Sequence, residues 1–251
     1  MPIEITLSPE LRGPLTVFPV EIAREYGVDA FVTGRLDGVS AGPYESLNLG
    51  DHVGDDLEHV DENRRLVARA IGADRLVIVR QVHGARVLNG SQATRESEAD
   101  ALFSDVSDLA FAILVADCVP ILLIDSRTSR FCLVHAGWRG LRMGVIANAL
   151  ARFAPSRIRA FLGPSISAAR YQVGPEVASH FEQIPHALEP DDGDRSRLDL
   201  RVVAASQLRA AGIDDGDISI STQVTDGGEA FFSDRAQRPC GRFGLVAKRV
   251  S

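Results

Sequence analysis

Leu109-Ala-Phe-Ala-Ile-Leu-Val-Ala-Asp-Cys-Val-Pro-Ile-Leu-Leu-Ile-Asp-Ser-Arg-Thr-Ser-Arg-Phe-Cys-Leu-Val-His135 is the stretch that decides the fold. Its three apolar runs, Leu109 to Ala116, Pro120 to Asp125 and Arg130 to His135, have strand length and strand composition. The joins between them are too short for a crossover helix, and Ser126-Arg-Thr-Ser129 reads as a turn. A succession of hairpins, rather than a regular strand-helix-strand progression, predicts an α+β fold with mixed, largely antiparallel β-sheets flanked by helices. Asp117 and Pro120 interrupt the run, which also falls short of the roughly 20 apolar residues a bilayer needs, so no membrane span is expected.

Outward from this stretch, further strands are expected at Leu76 to Val82, Ile158 to Leu162, Ile218 to Thr222 and Phe243 to Lys248. Asp55-Asp56 caps a helix running to about Ile71, with Val60, Leu66, Val67, Ala70 and Ile71 on or near one face and Gly72 as its stop. Other helices are expected at Leu141 to Phe153, Pro175 to Gln183 and Leu200 to Ala211, the last closed by Gly212. The acidic segment Glu189 to Arg195 reads as a surface loop, and the first 15 or so residues as a leader strand. With 251 residues, 45% of them hydrophobic, the chain is read as one domain spanning 1–251.

Charge and cysteine usage exclude several function classes. A net charge of -7 argues against a nucleic-acid partner, because gripping a phosphate backbone needs a basic face. The N-terminus lacks a basic segment followed by an apolar one, so no secretory signal is expected. Three cysteines are an odd number in a chain large enough not to need disulfides, which fits a reducing cytoplasmic compartment.

The chemistry concentrates at Gln81-Val-His-Gly84, Ala116-Asp-Cys-Val-Pro120 and Val134-His-Ala-Gly-Trp-Arg-Gly140. Zinc accepts imidazole nitrogen and thiolate together, and a catalytic zinc keeps three protein ligands and one open position. His83, Cys118 and His135 match that inventory, with copper the less favoured ion because six histidines and two methionines leave little for a copper cluster. On a strand through Phe131 to His135 successive side chains alternate, so Cys132 faces away from His135 and packs in the core, leaving Cys118 as the thiol to join it. Gly84, Gly137 and Gly140 mark places of close backbone approach, and Asp117 interrupts an apolar run. Thr33 to Asp56 is a glycine-rich loop whose amides, with Arg35, offer contacts to an anion, although no Gly-Lys-Ser/Thr follows and a plain surface loop is the better explanation.

Several phrases in order, GVSAGPYESLNLGDHVGDD (38–56), QVHGARV (81–87), ADALFSD (99–105), LVADCVPILLID (114–125), VHAGWRG (134–140), FLGPSIS (161–167), YQVGPEV (171–177) and FFSDR (231–235), resemble the YfiH or laccase-domain family, once called multicopper polyphenol oxidases. The resemblance runs from about Thr33 to Ala247. It implies a zinc-dependent purine nucleoside phosphorylase acting on adenosine, inosine and methylthioadenosine, with adenosine deaminase activity, and metal ligands at His83, Cys118 and His135. It also implies an α+β fold related to that of certain bacterial deamidating toxins. Two departures stand out: the usual FFSYRRDGxTGR run reads Phe231-Phe-Ser-Asp-Arg-Ala-Gln-Arg-Pro-Cys-Gly-Arg242, with Asp234 in place of tyrosine, and a cysteine usual near Ile220 to Thr222 is missing.

On this reading an open zinc site activates water for attack on the purine C6, while phosphorolysis needs phosphate held at the anomeric carbon by Arg35 or Arg139. Asp117 is the candidate for proton transfer, Trp138 for stacking on the purine, and Asn48 and Gln81 for reading sugar or base edges. The rival is a metal-free cysteine hydrolase with Cys118 as nucleophile and His135 as its base, which has no need of His83.

Overall fold

The computed structural model describes residues 1–153 and 157–250. In chain order the strands are β1 (Ile3–Ile5), β2 (Glu10–Arg12), β3 (Leu15–Pro19), β4 (Val28–Thr33), β5 (Leu76–Val77), β6 (Val87–Asn89), β7 (Ala101–Phe103) and β8 (Ala110–Val115). They continue with β9 (Val119–Asp125), β10 (Phe131–Ala136), β11 (Ile158–Leu162), β12 (Gln172–Val173), β13 (Leu188–Pro190), β14 (Ser196–Leu198), β15 (Ile218–Ser221) and β16 (Phe243–Arg249). The helices are α1 (Glu21–Arg24), α2 (Leu57–Ala70), α3 (Trp138–Arg142), α4 (Val145–Leu150), α5 (Pro175–Ala178) and α6 (Leu200–Ala210).

One sheet has the order β1-β15-β11-β9-β10-β7-β6 and a second β2-β3-β4-β16-β8-β5, with a small β12-β14-β13 sheet beside them. The first is mixed: β9 runs antiparallel to β10 and β11, whereas β1 with β15, β15 with β11 and β6 with β7 are parallel. The second is antiparallel except where β5 meets β8. The expected α+β class with mixed, largely antiparallel sheets is therefore what the chain forms.

Strand alternation explains the layering. Along β10, Phe131 and Leu133 face a core shared with Phe111, Ile113, Phe243 and Leu245 of the second sheet. Cys132 and Val134 point the other way, under Leu141, Val145, Ile146, Val203 and Leu208 from α3, α4 and α6. The outer face of the second sheet, with Phe31, Ala112 and Val246, is covered by Val67 and Ile71 at α2. The result is helices, sheet, sheet, helix, each layer burying aliphatic and aromatic side chains worth roughly 1.5–3 kcal/mol apiece.

The helix signals at Asp56, Gly72 and Gly212 operate as read, and Asp199 adds a cap not expected from the sequence. Asp56 caps α2 by accepting from the Glu58 amide, and Gly72 ends it at φ +66°. Asp199 caps α6 through the amides of Arg201 and Val202, and Gly212 closes it at φ +87°. Elsewhere the expectations need correction. The helix expected over Leu141 to Phe153 starts earlier, at Trp138, and breaks at Gly144, whose φ of +79° no right-handed helix tolerates. The one expected from Pro175 to Gln183 stops after a single turn at Ala178. The strand expected from Leu76 to Val82 is reduced to β5. The acidic segment Glu189 to Arg195 begins inside β13, and its remainder from Asp191 is the turn that joins β13 to β14.

The most consequential difference is the join between β8 and β9. It is no hairpin: β8 belongs to the second sheet and β9 to the first, and Ala116 to Cys118 carries the chain across. Only β9 and β10 form the expected hairpin. Asp117 accommodates the crossing at φ +92°, a conformation uncommon outside glycine. Cys118 is thereby set against the end of the core between the two sheets. No helix among the described residues is long and apolar enough to cross a membrane.

Candidate active site

His135 lies near the end of β10 with the parity of Phe131 and Leu133, so it faces the same inter-sheet end as Cys118. His83 arrives from the loop between β5 and β6, held at φ +57°. Its placement depends on Asp100, a wholly buried carboxylate just ahead of β7. One Asp100 oxygen accepts from the His83 amide at 2.9 Å, the other from the Gly84 amide at 2.6 Å and the Val82 amide at 3.3 Å. The oxygen that holds the His83 amide also contacts His135 Nδ1 at 2.8 Å, and the His135 amide donates to the Asp100 carbonyl at 2.7 Å. One carboxylate thus orients both imidazoles, and with Nδ1 of His135 engaged, Nε2 is the nitrogen left for a ligand role.

The donor atoms of His83, Cys118 and His135 all lie within 4.8 Å of one another, a group that could bind a metal. The two rings meet edge-on with centroids 4.7 Å apart. The neighbouring glycines are there for space. A Cβ on Gly137 would stand 2.8 Å from Cys118 Sγ and 3.2 Å from His83 Cδ2, and one on Gly140 would stand 2.9 Å from the Gly84 carbonyl oxygen.

The electrostatics fit the donor set. Burial alone would push the Cys118 thiol up, but the charges and hydrogen bonds of His135 and then His83 outweigh it and bring it from 9.0 to about 6. Burial would lower His135, yet Cys118 and Asp100 raise it to about 9. The pair therefore sits as thiolate against imidazolium near neutral pH, ready to exchange the proton for a cation. Cys132 is the contrast: buried on the opposite face with little to offset burial, its thiol is pushed up and stays inert.

The three donors open onto a cavity of about 430 Å3, within the range of small-molecule sites. Its walls also include Gln81, Asp117, Trp138, Arg139, Tyr171 and the segment from Asp234 to Arg242. Residues 29–249 match the family described as multi-copper polyphenol oxidoreductase laccase. The chain belongs to this family. It is 38% identical over 221 residues to a purine nucleoside phosphorylase of Mycobacterium tuberculosis, covering 84% of this chain and 88% of that one. It is 36% identical over 226 residues to the purine nucleoside phosphorylase YfiH of Escherichia coli K12, covering 86% and 91%. Among solved structures, YlmD from Geobacillus stearothermophilus superposes with a TM-score of 0.87 at 30% identity, covering 98% of this chain and 99% of that one. The Bacillus licheniformis hypothetical protein YfiH gives 0.87 at 29% identity, covering 96% and 98%.

In this laccase-family chain the structure brings seven of the nine sequence-derived candidates, Gln81, His83, Asp117, Cys118, His135, Trp138 and Arg139, to one cavity. Gln81 has both ends of its amide on Leu114 of β8, donating to the carbonyl at 2.7 Å and accepting from the amide at 2.8 Å. The backbone beyond Val77 has by then turned to another partner, with Arg80 bridging Glu98, so β5 is short. Asp117 accepts from the hydroxyls of Thr225 at 2.6 Å and Ser233 at 2.7 Å and from the Arg235 amide at 2.7 Å, so it anchors the C-terminal wall. Trp138 stacks near His180, and the Arg139 guanidinium lies 4.3 Å from its ring centre.

Arg35 and Asn48 are the other two candidates. Neither reaches the cavity. The Arg35 guanidinium lies over Phe232, 4.9 Å from the ring centre. Asn48 is fully buried, its amide bonded to Gly50, Asp55 and the Arg242 amide. Asn63 of α2 accepts from the Val39 amide and donates to the Ser40 hydroxyl and the Ser46 and Asn48 carbonyls, tying the glycine-rich loop to the helix. Asp100, Tyr171 and Arg235 are the residues that sequence reasoning missed. Asp100 carries the same signal as Asp117, a lone charge in the apolar stretch Ala99 to Phe103; Tyr171 and Arg235 stand in the phrases YQVGPEV and FFSDR, which carry the resemblance without giving either residue a role.

Tyr171 is held protonated. Burial pushes its hydroxyl up to about 12, the negative charges of Cys118 and Asp117 add to this, and Arg235 and Arg139 oppose it. That hydroxyl has no hydrogen-bond partner among the described residues.

Proposed function

We propose that this chain is a zinc-dependent purine nucleoside phosphorylase acting on adenosine, inosine and methylthioadenosine, with a second activity as an adenosine deaminase. The observation that carries this reading is the clustering of two imidazoles and a thiolate within 4.8 Å, in the wall of a cavity of nucleoside size. The names of the relatives support the phosphorylase assignment.

The donor set fits zinc. Two histidines and one cysteine also serve in copper electron-transfer sites, but those add a weak axial methionine, and the two methionines here, Met1 and Met143, are exposed and outside the cavity. Zinc bound there would supply a Lewis acid that activates water near neutral pH. The chain's own groups do the rest. In phosphorolysis a phosphate oxygen bonds to the anomeric carbon as the glycosidic C–N bond breaks, and the electron pair leaves with the purine, which takes up a proton. Arg139 offers charge to the phosphate and Trp138 an apolar face to the base. Asp117 can move a proton only if one of its three bonds yields, so its role as an anchor is the better supported. Three unpaired cysteines suit a cytoplasmic, reducing setting for this chemistry.

The test is to incubate zinc-loaded protein with adenosine, with and without phosphate, and to separate adenine from inosine. Adenine that requires phosphate, and inosine that does not, is the expected result; no turnover of any nucleoside by folded, metal-loaded protein ends the reading. The pairing of the Cys118 thiolate with His135 favours a metal-free cysteine hydrolase as the second reading. His83→Ala separates them, since the dyad tolerates it and a three-donor site does not.

A further inference from the structure

We propose that Arg139, Arg235 and the Tyr171 hydroxyl form a subsite for a tetrahedral oxyanion beside the His83, Cys118 and His135 group, and that Asp117 positions it. The chain as a whole carries a net charge of -7, yet its cavity wall has four arginines against two aspartates. Two of the four share one carboxylate: Arg238 and Arg242 both contact Asp234, which accepts from Arg238 Nε at 2.6 Å and from Arg242 at 3.0 Å. Arg139 and Arg235 have no carboxylate partner among the described residues.

Both free guanidiniums lie over aromatic rings, Arg139 at 4.3 Å from the Trp138 centre and Arg235 at 5.0 Å from that of Tyr171. Stacking holds the plane of a guanidinium while leaving the N–H groups at its edge to bond, the arrangement suited to bidentate capture of an oxyanion. One Arg235 nitrogen donates to the Gln172 carbonyl at 3.0 Å and fixes the fork further. The Tyr171 hydroxyl adds a neutral donor on the same cavity wall as both arginines and the three donor residues, directly beneath Arg235. Asp117 acts through the main chain: its 2.7 Å bond to the Arg235 amide, with Thr225 and Ser233 on its other oxygen, sets where that side chain emerges.

This assignment rests on the phosphorolysis reading for the identity of the anion, inorganic phosphate, and replaces Arg35 as the cation that holds it. The experiment uses full-length zinc-loaded protein, with inorganic phosphate as the probe in titration calorimetry and as the varied substrate in phosphorolysis. Arg235→Met is expected to weaken phosphate binding at least tenfold and to raise KM for phosphate to match, with KM for adenosine moving less than threefold and zinc content intact. Tyr171→Phe, which keeps the ring and removes only the hydroxyl, is expected to weaken phosphate about threefold or more and serves if Arg235→Met fails to fold. Parental phosphate affinity in both variants overturns the subsite. If the parent phosphorolyses nucleosides and the variants keep its KM for phosphate, the subsite falls and the phosphorylase reading stands; if phosphate binding depends on Arg235 and no nucleoside is cleaved, the subsite stands and the phosphorylase reading falls.

Discussion

Asp100→Asn removes one oxygen from the carboxylate that organises both imidazoles while keeping its size. Asp100 accepts from the amides of Val82, His83 and Gly84 at 3.3, 2.9 and 2.6 Å and contacts His135 Nδ1 at 2.8 Å. An asparagine in one orientation turns its NH2 toward the Val82 and Gly84 amides, and in the other toward the His83 amide and His135. Either way two bonds to a charged acceptor are lost, at about 1.5–3 kcal/mol each, so the variant loses about 3–6 kcal/mol of stability. That is a large share of the 5–15 kcal/mol typical of a folded protein. Metal affinity falls for a different reason: the His135 ring loses the partner that selects its tautomer, and the His83 loop loses its anchor. Losing such a partner usually lowers affinity about 10–100-fold, or roughly 1.4–2.7 kcal/mol. Competition against a chromophoric chelator measures the affinity, and urea unfolding measures the stability on the same sample. A folded Asp100→Asn that binds zinc within twofold of the parent refutes the claim that this carboxylate arranges the site.

Three further outcomes follow from named contacts. Gly137→Ala places a Cβ 2.8 Å from Cys118 Sγ, and at the roughly 1–3 kcal/mol that overpacking costs it should weaken zinc about 5–150-fold by competition titration, with parental affinity arguing against the donor geometry. In metal-free protein Cys118 titrates near 6 rather than 9.0, so its alkylation by iodoacetamide should rise as pH climbs through about 6 and level off well below 9, with Cys132 unmodified; a rise centred near 9 would contradict the thiolate–imidazolium pairing. Asp117→Ala strips the acceptor from Thr225, Ser233 and the Arg235 amide, and at about 1–3 kcal/mol per stranded donor it should destabilise the fold by several kcal/mol in urea, whereas a change below about 1 kcal/mol would show that the C-terminal wall is held by other contacts.

Much of this was legible from residue pattern, and what was not has physical causes. Helices α2 and α6 announce themselves because Asp56, Gly72 and Gly212 act locally, through a cap and left-handed stops. Strand β11 coincides with its apolar run because it is buried along nearly its whole length. Parity correctly separates Cys132 from His135, since it needs only one strand. Strands β7, β13 and β14 escape because three residues are too few to show a period, and β4, buried on both faces, carries no alternation until its sheet is known. The crossover at Asp117 escapes because a pattern tells which residues are buried but not which sheet a strand joins. Asn48 looks chemical for its residue type alone, whereas its bonding capacity is engaged by loop closure, and Arg35 lies over Phe232 rather than in the cavity wall.

His83, Cys118 and His135 are placed to share one metal. Zinc-edge X-ray absorption on the purified chain, with metal content determined on the same sample, tests this most directly. One zinc per chain with a single sulfur and two imidazole nitrogens among its neighbours, and loss of the sulfur in Cys118→Ser, is the predicted result. Parental zinc content and an unchanged spectrum in Cys118→Ser or His83→Ala would contradict it.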